Sequence, residues 1–227
     1  MQGCVGMDEA SLWGYAHILF FVIWLATDLR VYVLMARIKN AARSFEDRKG
    51  LVRRVEVLRV IPQMCFALIL PTGVELTGAI NVYPLTPGLR AASWIVGLVW
   101  LAVIVTGAGA RGRALGANLR IVELVFELFA GLVFVAYGLN SLATGAPIDD
   151  PWFAAKLFLF GLVFWTSVAA DIGFRPFYAP FYEIAVEGSI PDREEGISAA
   201  VNHTLVAIAA SLVLIAVIAF IGRVKPF

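Results

Sequence analysis

Apolar residues run along this chain in long blocks, and polar residues collect between them. The first block, LWGYAHILFFVIWLATDLRVYVLMARI, occupies 12–38. Runs of about 20 apolar residues predict membrane-spanning helices. Six are expected, over about 12–37, 53–80, 91–110, 118–143, 152–173 and 197–222. Turn residues mark the connections NVYPLTPG, GARGRALGAN and LATGAPIDDP. The longest connection, FRPFYAPFYEIAVEGSIPDREEG, holds three prolines and aromatics at amphipathic spacing. It is expected to lie on the membrane surface. No connection is long enough for a soluble domain. The expected architecture is an all-α polytopic membrane helix bundle, one transmembrane domain over 1–227. Pro62 and Pro71 fall inside the second span, where kinks are expected.

Charge then orients the spans. The stretch 37–59 holds eight basic residues: Arg37, Lys39, Arg43, Arg48, Lys49, Arg53, Arg54 and Arg59. Arg111, Arg113, Arg120, Arg175 and Arg193 fall on the same side of a six-span path, against Arg90, Arg223 and Lys225 on the other. Lysine and arginine accumulate on the cytoplasmic side. Both termini are therefore expected outside, on the periplasmic face of a bacterial inner membrane. Trp13, Trp94 and Trp152 then fall at the outer interface, where aromatic residues gather. The stretch 37–59 is expected to set topology and to touch anionic membrane lipids.

Composition agrees with the pattern. Hydrophobic residues make up 60% and charged residues 15%, and mean hydropathy is +0.84. A net charge of +1 gives no bulk electrostatic reason for a nucleic-acid partner. Cys4 and Cys65 have neither the spacing nor the neighbours of a zinc site or a disulfide framework. The first apolar stretch is too long for a cleavable signal and lacks a basic region before it, so it is expected to stay as an anchor, with Met7 an alternative start. Gly107, Gly131 and Gly161 fit close helix packing, and a homo-oligomer or a larger membrane complex is expected as context.

Ionisable side chains within hydrocarbon are the informative exceptions, because each costs about 2.5–3.5 kcal/mol at the bilayer centre on insertion scales. By a rise of about 1.5 Å per residue, His17, Glu75 and Lys156 lie at a shared level, about 6–8 Å below the outer face. A second group lies toward the cytoplasm: Asp28, Arg30, Arg59, Glu123, Glu127, Asp171, Asn202 and His203. His17, Phe21, Trp24 and Asp28 follow i, i+4, i+7, i+11 spacing and line one helix face, with Arg30 pointing away. Asp28 and Asp171 are expected to pair with arginines such as Arg59 or Arg175. Glu123 and Glu127 are either paired carboxylates of a proton path or partners of Arg120 and another base. His203 reads as an interhelical hydrogen bonder rather than a ligand.

His17 and Lys156 admit two readings. Glu75 pairs with Lys156 as a structural staple, or the level forms a haem pocket. Haem iron takes an imidazole nitrogen, and propionates need a cation near the membrane boundary. His17 would be the metal ligand and Lys156 the propionate partner, tuned by Glu75, with Trp24 and Trp152 nearby. His17 and His203 are about 15–20 Å apart by helical rise, so one iron cannot bind both.

Two stretches carry a family likeness. YAHILFFVIWLATDLRVYVL places a tryptophan seven residues after a histidine, and PWFAAKLFLFGLVFW places a lysine four residues after a tryptophan. They resemble the haem-binding, membrane-embedded protoporphyrinogen oxidases and, similarly, the copper-resistance D-type membrane proteins. The whole chain resembles an uncharacterised family of bacterial polytopic inner-membrane proteins. The likeness to the oxidases implies haem b and a functional requirement for His17 and Lys156. It also has departures: those oxidases have four spans, and a later histidine on the lysine helix is replaced here by Trp165, Thr166 and Ser167.

The leading expectation is a haem b-binding, redox-related protein with a pocket near the periplasmic side. A proton- or cation-coupled transporter or channel is the alternative, with Asp28, Glu127, Asp171 and His203 as its relay. A ligand-free structural or assembly subunit is the third.

Overall fold

The computed structural model describes residues 8–226, so Cys4 and Met7 lie outside the described residues. It is all-helical among those residues, in the order α1 (Glu9–Ile38), α2 (Phe45–Leu58), α3 (Val60–Ala79), α4 (Pro87–Gly109), α5 (Ala114–Thr144), α6 (Pro151–Phe174), a short 3-10 turn (Arg175–Phe177), α7 (Tyr178–Glu187) and α8 (Pro191–Val224). Five stretches are long and apolar enough to cross a membrane: Glu9–Ile38, Phe45–Ala79, Pro87–Gly109, Pro151–Glu187 and Pro191–Val224. The fourth expected span corresponds to α5, which is not among the five. Its first half carries Arg120, Glu123 and Glu127.

Local chemistry accounts for the boundaries. The Ser44 hydroxyl accepts the Asp47 N–H at 3.1 Å and opens α2 eight residues before the expected start at 53. The Thr86 hydroxyl accepts the Leu89 N–H at 3.1 Å ahead of Pro87, a favoured residue for a first helical position. Asp8 accepts the Ser11 N–H at 2.8 Å; hydrogen bonds from Ser11 hold its carboxyl below the ordinary aspartate range. The expected single helix over 53–80 is broken at Arg59. Pro62 cannot donate to the Leu58 carbonyl, and its ring crowds that carbonyl, so the regular ladder lapses there. Pro71 lies within α3 and likewise frees the Ala67 carbonyl. Gly97 of α4 approaches that point so closely that a Cβ there would stand 3.0 Å from Ala67 O and 3.0 Å from Pro71 Cγ. Helix α8 begins at Pro191 rather than 197 and ends where Lys225 turns left-handed, at φ 48°. Its 34 residues rise roughly 50 Å, more than the hydrocarbon thickness of about 30 Å.

The chain forms two compact units, one from residues up to Ala26 with Val60–Glu123, the other from Thr27–Arg59 with Leu124–Phe227. In the first, α3 packs along α4, and Trp24, Phe66 and Trp100 form an aromatic core with centroids 4.8 and 5.0 Å apart. Cys65 is buried in this unit.

In the second unit α6 packs along α8. Its core joins the end of α1 (Val31, Leu34, Met35, Ile38), one face of α2 (Leu51, Val52, Val55), the aromatics Phe174, Phe177 and Phe181, and the start of α8 (Ile197, Ala200, Val201). The connection expected to lie on the membrane surface thus buries Phe177 and Phe181 completely, while Tyr182 and Val186 stay exposed. Gly50, mid-helix in α2, has open space where a Cβ would stand. Gly50→Ala is expected to raise stability by about 0.5–1 kcal/mol, read as a higher denaturation midpoint in detergent.

Candidate functional site

In the first unit, α1 and α3 bring His17 onto Thr72 and Gly73. His17 Nδ1 is 3.4 Å from Thr72 Oγ1. The Thr72 hydroxyl gives its own proton to the Leu68 carbonyl at 2.8 Å. That hydroxyl, so anchored, can accept from a ring N–H of His17. Gly73 makes the approach possible: a Cβ there would come within 2.9 Å of His17 Cε1.

One turn further along α3, Glu75 is buried. The Trp94 indole N–H donates to Glu75 Oε1 at 3.0 Å, and Arg90 Nε stands 3.5 Å from Oε2. Arg90 also stands 3.8 Å from Glu9, and Trp13 packs on Trp94 at 5.9 Å. This level therefore joins an imidazole, a hydroxyl, a carboxylate, a guanidinium and two indoles.

Lys156, placed at the same depth by the sequence, belongs to the second unit. It stands beside Gly222 of α8, where a Cβ would be 3.4 Å from Nζ. Trp152, also in that unit, is buried and carries Lys225 Nζ over its ring at 4.8 Å. The partners found for Glu75 are Arg90 and Trp94, where the sequence suggested Lys156. The missed signal was topological: Glu75 and Arg90 sit at adjoining ends of successive helices joined by a short turn. Trp24, expected near a ligand, is committed to Phe66.

Of the inner group, Asp171 receives Arg59 Nη2 at 2.5 Å and has Arg175 at 3.7 Å. Tyr178 donates to Glu56 at 2.9 Å in the same unit. Glu123 is held by Arg120, and Glu127 is fully buried on α5. Asp28 is half-buried and Arg30 exposed. Asn202 accepts from Lys39 at 2.9 Å. His203 is exposed, and its backbone packs beside Gly173.

Sequence reasoning also missed Arg48. It is 1% exposed, donates from Nε to the Ile38 carbonyl at 2.7 Å and from Nη1 to Glu194 at 2.8 Å, and lies over the Phe181 ring at 5.6 Å. The signal was present: Arg48, Leu51, Val52 and Val55 fall at i, i+3, i+4, i+7 and share a face.

Among the described residues, no group of three or more histidine, cysteine or carboxylate side chains is placed to hold a metal ion. A haem iron needs less, since the porphyrin supplies four nitrogens and the protein an axial one. Its fit rests on His17, whose ring stands on Thr72, and on Arg90, a cation of the same unit. No family model matches the chain, and no curated protein or solved structure is similar to it. The helices define the class: a polytopic, all-α protein with stretches fit to cross a membrane.

Proposed function

We propose that this chain is a multi-pass protein of a bacterial inner membrane, with six spans, α5 included, and both termini outside, and that it binds haem b at the outer level of its first unit in a redox-related role. The observation that supports this reading is the orientation of His17 by Thr72. An axial histidine usually gives its second ring N–H to a fixed acceptor, which sets ring rotation and basicity. Thr72, anchored to Leu68 O, has that position. Arg90, half-exposed and only loosely paired with Glu75 and Glu9, is a cation of this unit that could meet a propionate. Haem b, when bound, supplies one-electron chemistry. The chain holds the imidazole against Thr72 and offers a guanidinium toward the boundary.

The absorption spectrum of the full chain, purified in detergent from haem-replete cells, tests this. A Soret band is expected, and His17→Ala should abolish it. Thr72→Val should leave the fold intact and weaken haem affinity about 10–100-fold. A colourless preparation, or a band that survives His17→Ala, overturns the reading.

A further inference from the structure

The basic stretch 37–59 divides into two populations. Arg48 and Arg59 turn inward, onto Glu194 and Asp171. Arg37, Lys39, Arg43, Lys49, Arg53 and Arg54 are all exposed. Lys39 is engaged by Asn202, and Lys49 leans on exposed Glu46 at 3.4 Å. Arg37, Arg43, Arg53 and Arg54 have no ion-pair partner among the described residues. The carboxylates of the stretch do not neutralise them. Glu46 faces Lys49, Asp47 accepts the Ser44 hydroxyl at 2.8 Å, and Glu56 accepts Tyr178. The stretch therefore carries eight basic against three acidic residues, and its surplus charge is outward.

The helices fix where that surplus sits. Leu51, Val52 and Val55 are committed to the core of the second unit, which holds Arg53 and Arg54 on the opposite face of α2. Arg37 lies in the last turn of α1. Arg53 and Arg54 precede Val60, the first residue of α3, by no more than about 11 Å of helical rise. Each side of a bilayer carries a headgroup layer of about 5–8 Å outside the hydrocarbon, and an extended arginine side chain covers the remaining gap.

We propose that Arg37, Arg43, Arg53 and Arg54 form a docking surface for the phosphates of anionic phospholipids in the leaflet adjoining this stretch. Guanidinium groups bind phosphate oxygens in pairs; Arg37 stands in the last turn of α1, Arg43 in the short turn before α2, and Arg53 and Arg54 within α2, so none is on a free tail. The surface is independent of any haem at His17. A soluble acidic partner is less well matched, because the cations lie at the feet of spanning helices, where lipid phosphate is always at hand.

The full chain in a neutral detergent is titrated with phosphatidylglycerol, phosphatidylcholine or inorganic phosphate, and retained lipid is counted by native mass spectrometry. Phosphatidylglycerol should bind, and R37Q/R43Q/R53Q/R54Q should weaken it at least tenfold, since a surface cation contributes about fivefold. R37K/R43K/R53K/R54K should keep most of the binding, and rising salt should affect the wild type more than the glutamine variant. Equal retention of both lipids, competition by inorganic phosphate at equal concentration, or an unchanged glutamine variant with native helicity overturns the proposal.

Discussion

Arg48→Met should cost this protein about 3 kcal/mol of stability, the lower end of what removing one member of a buried ion pair costs, because Glu194 keeps some contact with solvent. The arginine is all but sealed from solvent. It satisfies Ile38 O at the end of α1, where a cation also opposes the negative end of the helix dipole, and it neutralises Glu194 in the first turn of α8. Methionine fills the volume but leaves the Ile38 carbonyl without this donor and Glu194 with only the Ser189 hydroxyl, at 2.7 Å. The Glu194 charge then draws water into a cluster built from Ile38, Phe181 and Ile197. Chemical unfolding in detergent should show the midpoint fall. Replacing both partners by apolar residues, as in R48M/E194M, should recover much of the loss, because the desolvation of two charges disappears along with their attraction. A wild-type midpoint for Arg48→Met would mean that the pair is peripheral.

Gly138→Val is the second large effect expected. A Cβ at Gly138 would stand 2.5 Å from Phe158 N and 2.8 Å from Ala154 O. These are backbone atoms of α6, so no side chain can swing aside and the helices must part. Gly161 is equally constrained, with Val135 N at 2.7 Å and Gly131 O at 2.8 Å. Close approach of this kind is what small residues permit between packed helices. The cost should reach about 3 kcal/mol, the upper end of the overpacking range. Gly107→Ala is the comparison: its nearest neighbour, Leu119 Cβ, would be at an ordinary 3.5 Å, so its unfolding midpoint should hold or rise slightly. Equal midpoints for the two variants would refute the close α5–α6 contact.

These two sites show what the sequence disclosed. Gly131 and Gly161 are legible as packing glycines because small residues stand out in apolar runs, and the structure puts them face to face. Gly107, read in the same way, makes only ordinary contact. Helix positions follow the apolar blocks to within a few residues where the ends meet turn chemistry. They fail at 45 and 191, where a polar amphipathic turn continues a span and hydropathy alone reads it as loop. Arg48 was absorbed into a run of eight basic residues, although its spacing with Leu51, Val52 and Val55 marked it as inward. Glu75 was matched to a lysine by depth, but depth does not give azimuth; Arg90, brought near by a short turn, is its neighbour. The contact of His17 with Thr72 and Gly73 depends on how α1 and α3 meet, which no sequence pattern carries.

The Arg48–Glu194 pair has a consequence for biogenesis. Its members are 146 positions apart. At about 5–20 residues per second, the ribosome delivers the carboxylate roughly 7–30 s after the guanidinium. Throughout that interval the nascent protein holds Arg48 as an uncompensated cation, alongside the rest of its basic run. Charge that the finished molecule conceals is thus exposed on the nascent chain until the start of α8 has been made.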